Sequence, residues 1–323
     1  MEVWVRLKRK IFINALVVIC SVLMISGCQD MPEQESNNDQ STDATISEHE
    51  TSYPIERTDA NERNVVIEQE PQSIVSLIPS NTEIVYALGA GDRMVGRSEF
   101  DDYPEEVLDI QSIGGMEFDV EQIIELEPDI ILAHESGSTQ AEHAFEQLEK
   151  AGYPVFVVED AQTIDAVYES IEEIAELLNR QTEAEQIIEQ MTTSFAQLED
   201  ITEKDSDEQH SVWVEISPQP IYVAGKETFI DELLRVSHAT NAAEDQTGWV
   251  EISEEIGVTY DPDVIISTYG GAESISKKPA WQSVSAIQKD RVFDIDPNLV
   301  SRPGPRLVEG AWQLAELIYP EDF

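Results

Sequence analysis

Apolar positions recur along the chain with two spacings, and their alternation predicts the architecture. The longest helical pattern runs from Thr182 to Lys204. There Ala184, Ile187, Ile188, Met191, Phe195, Leu198 and Ile201 return every three or four residues with no Gly or Pro between them. Thr182 followed by Glu185 has the form of a capping box, each side chain satisfying a backbone N–H of the first turn. Such a helix spans roughly 35 Å, about the width of a small domain. Ahead of it, Ser73 to Ile78 predicts a buried strand, Pro79 a turn, Asn81 or Thr82 a helix cap, and Gly89 and Gly91 the stop. A short strand near Met94 to Gly96, a helix around Val120 to Leu126, a strand from Pro128 to Ala133, a loop H-E-S-G-S, a further helix and a strand from Pro154 to Val158 follow. Behind the long helix come strands at Ser211 to Ile216 and Pro262 to Ser267, a last strand R-V-F-D-I, the loop D-P-N-L-V-S-R-P-G-P-R and a closing helix. Short apolar strands alternating with helices predict parallel sheets covered on both faces. The long helix then reads as a strut between two α/β lobes, residues 65–181 and 205–323, with residues 182–204 joining them. The alternative is one more amphipathic helix in a single layer.

The halves mirror each other in detail. P-D-I-I-L-A at Pro128 is matched by P-D-V-I-I-S at Pro262, and Glu121 and Glu255 each stand seven residues before the proline. Each lobe would present one glutamate at an equivalent point.

The N-terminus changes the picture from a free protein to an exported one. Arg6, Lys8, Arg9 and Lys10 precede an apolar run, Ile11 to Ile25, broken only by Asn14 and Ser21 among its polar residues, and I-S-G-C closes it. A basic segment, a short apolar stretch and small residues form a secretory signal, too short for a comfortable membrane span. I-S-G-C resembles a lipobox, which implies cleavage after residue 27 and lipidation of Cys28. Residues 28–64, poor in apolar side chains, read as a disordered tether. Cys20 and Cys28 are the two cysteines, so the body has no thiol, disulfide or cysteine metal site. The chain carries 66 Asp and Glu against 19 Lys and Arg, a formal charge of −47, which argues against nucleic acid or an anionic membrane surface as partner. Spread along the chain, the charge reads as adaptation to a saline or alkaline exterior, with most carboxylates solvated.

The stretches S-L-I-P-S-N-T-E-I-V-Y-A-L-G-A-G, D-D-Y-P, E-x-I-I-E-L-E-P-D-I-I-L-A and S-R-P-G-P-R resemble those of substrate-binding lipoproteins of ABC importers for cobalamin and ferric siderophores. The resemblance covers about Ser73 to the C-terminus. It implies two Rossmann-like lobes with central sheets, one joining helix, little hinge motion and a ligand cleft between the lobes. It also implies an extracytoplasmic protein, lipid-anchored to the outer face of the cytoplasmic membrane. The implied partner is a permease dimer with ATPase subunits, whose arginines would meet Glu121 and Glu255; such contacts orient docking. By the same resemblance the cleft positions fall on Ser80, Phe100, His134, Tyr222, Trp249, Asn298 and Arg302. Aromatic walls with Asn and Arg at the edges suit a large, flat, partly apolar corrinoid. His134 stands where an aromatic wall is expected, and Gly114-Gly115 offers no large side chain, so a ferric siderophore is the rival ligand, with Arg302 and Arg306 countering its charge.

Other classes have less support. Neither a G-x-S-x-G elbow nor an H-E-x-x-H helix is present, so no enzyme is expected, and no cofactor. A zinc or manganese site needs convergent histidines, but His49, His134, His143, His210 and His238 are scattered, with only His134 in a plausible cleft loop. A structural or adhesive surface role would explain lipid and tether but not the paired glutamates.

Overall fold

The computed structural model describes residues 51–204, 209–321 and 323. The signal segment, Cys28 and most of the tether stretch lie outside the described residues.

In the N-terminal lobe, β1 (Ile55–Thr58) and β2 (Asn64–Ile67) form an antiparallel ribbon. Then come β3 (Ile74–Ser76), α1 (Pro79–Ala87), β4 (Met94–Gly96), α2 (Val120–Glu125), β5 (Ile130–His134), α3 (Glu135–Lys150), β6 (Val155–Val158) and α4 (Ile164–Leu178). The sheet is fully parallel in the order β4-β3-β5-β6. Its strands are buried on both faces: Ile74, Ile130, Leu132 and Phe156 join one apolar cluster, and Val75, Ile131, Ala133 and Val155 the other. That is the period-two consequence of helices covering each side.

The strut is α5 (Gln181–Lys204). The C-terminal lobe follows as β7 (Ser211–Pro218), β8 (Ile221–Ala224), α6 (Phe229–Val236), β9 (Thr240–Asn241), β10 (Trp249–Glu251), α7 (Glu254–Gly257), β11 (Val264–Ser267), α8 (Ala272–Ser276), α9 (Ser285–Gln288), β12 (Val292–Asp294), α10 (Pro297–Ser301) and α11 (Leu307–Ile318). Its sheet runs β10-β8-β7-β11-β12, with β9 also on β7; β7, β9, β11 and β12 are parallel, and β8 runs antiparallel to both its neighbours, β7 and β10.

Ala184, Met191, Phe195 and Leu198 of α5 are buried in the same cluster as the inner faces of both sheets, together with α4 and α11. Trp312 of α11 donates its indole N–H to Ser194 of α5 at 2.8 Å. An apolar core continuous from lobe to lobe through a regular helix resists opening, because hinging would expose it.

Several local expectations are corrected. Folded structure begins by Thr51, not after Asn64. The Thr51 N–H donates to Asn179 Oδ1 and the Tyr53 hydroxyl to the carbonyl of Leu177, both at 2.9 Å, and Ile55, Val65 and Ile67 are buried. The segment looks like a tether because only alternate residues of a ribbon face the lobe. Pro79 is the first residue of α1 rather than a turn before it, which suits a residue lacking an N–H. Asn81 and Thr82 are therefore buried in the first turn, not caps. H-E-S-G-S is the end of β5 and the start of α3, with His134 as N-cap. In α5, Arg180 accepts from the Ala184 N–H, so Thr182 lies inside the first turn.

Candidate ligand-binding site

The ends of β3 and β5, the long loop after β4 and the first turns of α3 frame a partly open cavity of about 230 Å³ at the carboxyl edge of the N-terminal sheet. Open α/β sheets place ligands at this edge. Phe100 and His134 both line it, with Leu77 and Ile78 just after β3. The remaining wall was not legible in the sequence. Met116 and Phe118 come from the 114–118 turn, which Gly114 permits: its φ is +103° and a Cβ there would meet the carbonyl of Glu117 at 2.6 Å. Phe145 comes from α3, on the face it shares with Gly137 and Ala141 at four-residue spacing. Phe118 and Phe145 stack 6.0 Å apart at 12°. The pocket is thus less short of aromatics than His134 and Gly114-Gly115 suggest. The cue available was the i, i+4 face of α3.

His134 is only 7% exposed. Its Nδ1 accepts from the Ser136 N–H at 3.3 Å and lies 2.9 Å from the Ser136 hydroxyl, which leaves Nε2 to carry the proton, 3.9 Å from Asp160. Burial pulls the imidazole pKa down, against the opposing pull of Asp160 and Glu135, so the ring is neutral at neutral pH. His143 is turned to Gln147 at 2.9 Å, so the two histidines do not converge. Among the described residues no group of three His, Cys, Asp or Glu is set to hold a metal ion.

Tyr222 and Trp249 stand on the other lobe. Antiparallel register sets Trp249 opposite Ala224 and Glu251 opposite Tyr222, which puts Tyr222 and Trp249 on one face of the β8–β10 pair. Trp249 is 47% exposed. Neither lines the cavity around Phe100 and His134, whose walls are all N-terminal-lobe residues. Of the seven positions, this cavity brings together Phe100 and His134.

Asn298 and Arg302, from α10 and its C-terminal end, reach across to the N-terminal lobe. Asn298 donates to Asp102 at 3.0 Å. Arg302 Nη1 lies 2.9 Å from Glu83 Oε1 and 2.6 Å from Asp102 Oδ1, and Nη2 is 3.2 Å from the carbonyl of Phe100. Arg306 Nη1 donates to the same Glu83 Oε1 at 3.2 Å, and its guanidinium lies 3.9 Å over the Tyr103 ring. Both arginines are thus already engaged by carboxylates. Ser80, beside them on α1, is buried with its hydroxyl unpartnered, as are Glu83 Oε2 and Asp101 Oδ1.

Asp101 is 2% exposed, and burial pushes its carboxyl from 3.8 up to about 6 despite hydrogen bonds from Thr82 and Ser98 and the charges of Arg97 and Arg302. A proton held more tightly in the folded state gives stability that is full below pH 3.8 and lost as pH rises through about 6. Asp101→Asn is expected to be more favourable at pH 7.5 than at pH 4 by about 2 kcal/mol. Urea unfolding of both proteins at the two pH values checks this; equal effects at both would contradict it.

Glu121 on α2 and Glu255 on α7 are each the second residue of a short helix, capped by the side chains of Asp119 and Ser253, and both are exposed. Hydrogen bonds from its own backbone N–H and from Ser253 hold the Glu255 carboxyl below the usual range.

Two α/β lobes are joined by a helical strut, with a pocket at the edge of the N-terminal sheet and an ionic seam from Arg302 and Arg306 to Glu83 and Asp102. The chain belongs to the periplasmic binding protein family, whose model matches residues 74–299. It is 42% identical over 323 residues to the uncharacterized ABC transporter substrate-binding lipoprotein YvrC of Bacillus subtilis, across 98% of this chain and 99% of that protein. It is 28% identical over 250 residues to the vitamin B12-binding protein of Pectobacterium atrosepticum, covering 76% of this chain and 87% of that one. Among solved structures, a possible iron-binding (periplasmic solute-binding) protein of Staphylococcus epidermidis superposes with a TM-score of 0.72 at 36% identity, over 78% of this chain and all of that one. The vitamin B12 binding protein BtuF of Vibrio cholerae gives 0.67 at 24%, over 78% and 98%, a likeness of fold. The protein is an extracytoplasmic substrate-binding protein of an ABC transporter, working with a permease and its ATPase, and not an enzyme.

Proposed function

We propose that the protein captures a corrinoid of the cobalamin type and delivers it to the permease. The observation that carries this is the state of the two arginines: Arg302 and Arg306 are spent on Glu83 and Asp102, so neither is free to meet an anionic chelate. What remains is an aromatic and aliphatic pocket with a neutral His134, suited to a flat, amide-edged ligand without net charge. At about 230 Å³ the cavity takes one edge of such a ligand. Tyr222 and Trp249 are assigned its opposite face, and Ser80 and Asn298 its polar edge. The vitamin B12-binding protein of Pectobacterium atrosepticum, 28% identical, supports the reading.

Purified full-length protein titrated with cyanocobalamin is expected to saturate one-to-one with a Kd below about 1 µM, quenching Trp249 fluorescence. The second reading is a ferric siderophore complex, favoured by the 36% identical structure described as a possible iron-binding protein. Saturation by a ferric chelate and not by cyanocobalamin would establish it.

Glu121 and Glu255 are assigned to permease docking, since each is an exposed carboxylate at an equivalent point of its lobe. Reversing both to Arg is expected to lower uptake by cells at least about tenfold while ligand affinity stays unchanged, because rim charges orient docking rather than hold ligand. Uptake at the unsubstituted rate would remove the assignment. Cys28 is assigned as the lipidated residue; Cys28→Ser should release the protein from membranes into the medium.

A further inference from the structure

The seam between the lobes carries more acceptors than the arginines need. Glu83 Oε1 serves both guanidiniums, while Glu83 Oε2, Asp101 Oδ1 and Ser80 Oγ are buried without a hydrogen-bond partner. The side chains of Glu83, Arg302 and Arg306 are 2%, 12% and 15% exposed, so water screens their charges poorly. Asp102, at 51%, closes the outer side of Arg302. The seam adjoins the pocket, because Arg302 Nη2 is bonded to the backbone carbonyl of Phe100, a residue that lines it. Pro303 and Pro305 limit the backbone freedom of the strap that holds both arginines, and Gly304 packs against α1, where a Cβ would lie 3.8 Å from Ile84 and from the Ser80 carbonyl. The arginines are therefore held to their carboxylates and cannot easily swing towards a ligand.

We propose that Glu83 and Asp102 are specificity-determining residues: by masking Arg302 and Arg306 they make the cleft reject anionic ligands and accept neutral ones that bring hydrogen-bond donors. The inference rests on the reading above that the ligand occupies the pocket beside Phe100. Its physical basis is that a guanidinium already paired with a carboxylate adds little for a second anion. An unpaired one in the same place would give charge-assisted hydrogen bonds and strong attraction.

The test uses the full-length protein and three probes: cyanocobalamin, a neutral ferric trihydroxamate and a trianionic ferric tris-catecholate. In Glu83→Gln/Asp102→Asn, affinity for the tris-catecholate is expected to rise about ten- to hundredfold. Affinity for the trihydroxamate should change less than about threefold, since it has no charge for the freed arginines to meet. The gain should shrink as salt is raised, and Glu83→Asp, which keeps the charge, should not show it. Asp102→Asn alone lies at an exposed position and should give a smaller gain in the same direction. It carries the test if the double variant does not fold. The proposal is overturned if substitution shifts both chelates equally, if the unsubstituted protein already binds the tris-catecholate as tightly as the variants, or if no variant binds it. Failure of the unsubstituted protein to bind cyanocobalamin would instead overturn the corrinoid reading. The masking is read from the anionic-to-neutral ratio between protein forms and is judged separately.

Discussion

Replacing Trp213 with alanine is expected to lower the unfolding free energy by about 4 kcal/mol, among the largest effects of any single truncation in the chain. Trp213 is fully buried on β7, on the side of the C-terminal sheet away from α5. Its ring meets Trp281 edge-on at 5.7 Å and Tyr260 at 5.3 Å. Its indole N–H lies 3.4 Å from Glu215, a fully buried carboxylate that also accepts from the Tyr269 hydroxyl at 2.5 Å and lies 3.5 Å from Lys278. Burial first, then the bond to Glu215, push the Tyr269 hydroxyl pKa up, so the tyrosine remains a donor. Truncation therefore opens an indole-sized void and removes one donor from a buried anion. Trp213→Phe, which fills most of the void, should recover more than half of the loss. Urea unfolding of the three proteins decides the matter, and a Trp213→Ala loss below about 1 kcal/mol would mean the satellite core collapses freely around the gap.

The second large effect is expected at Arg302. Its removal leaves Glu83 with one guanidinium instead of two, frees the Phe100 carbonyl and leaves Asp102 with Asn298 alone. Stripping one partner from a buried ion pair costs several kcal/mol, because the other charge stays desolvated. Asp102 is half-exposed and recovers water, so the expected loss for Arg302→Ala is about 3 kcal/mol. Lysine should not restore it, since an ammonium cannot reproduce a fork that reaches two carboxylates and a carbonyl. A cycle pairing Arg302→Ala with Asp102→Ala should give a coupling of about 1 kcal/mol or less, and one pairing it with Glu83→Ala a larger value. The reverse ranking would mean that the seam is held from its outer edge.

How much of this could be read beforehand varied by element. The strut was legible because an amphipathic helix writes its buried stripe at a fixed period, and Ala184, Met191, Phe195 and Leu198 are buried where that period puts them. The parallel sheets were legible for the same reason, as short apolar runs between helices. The pocket was legible only at its corners. Phe100 and His134 do share a cavity, but Met116, Phe118 and Phe145 join them through a turn and a helix face whose meeting depends on how α3 packs across β5 and β6. Tyr222 and Trp249 were assigned to the cleft by likeness of motif, and they share one face of the β8–β10 pair on the other lobe.

Arg302 and Arg306 draw the line most sharply. Spacing in S-R-P-G-P-R shows two cations on a stiff loop after α10 and nothing about which anions they face. Glu83 lies 219 residues from Arg302 and reads in the sequence as one of 66 acidic side chains in a chain of net charge −47. Local periodicity determined the elements, their order and the helical strut, because helix and strand repeat distances are properties of the backbone alone. Only the tertiary structure decided which carboxylates are buried against the arginines, and so the charge the ligand meets. Burial and pairing belong to positions brought together across the lobes, and no local pattern records them.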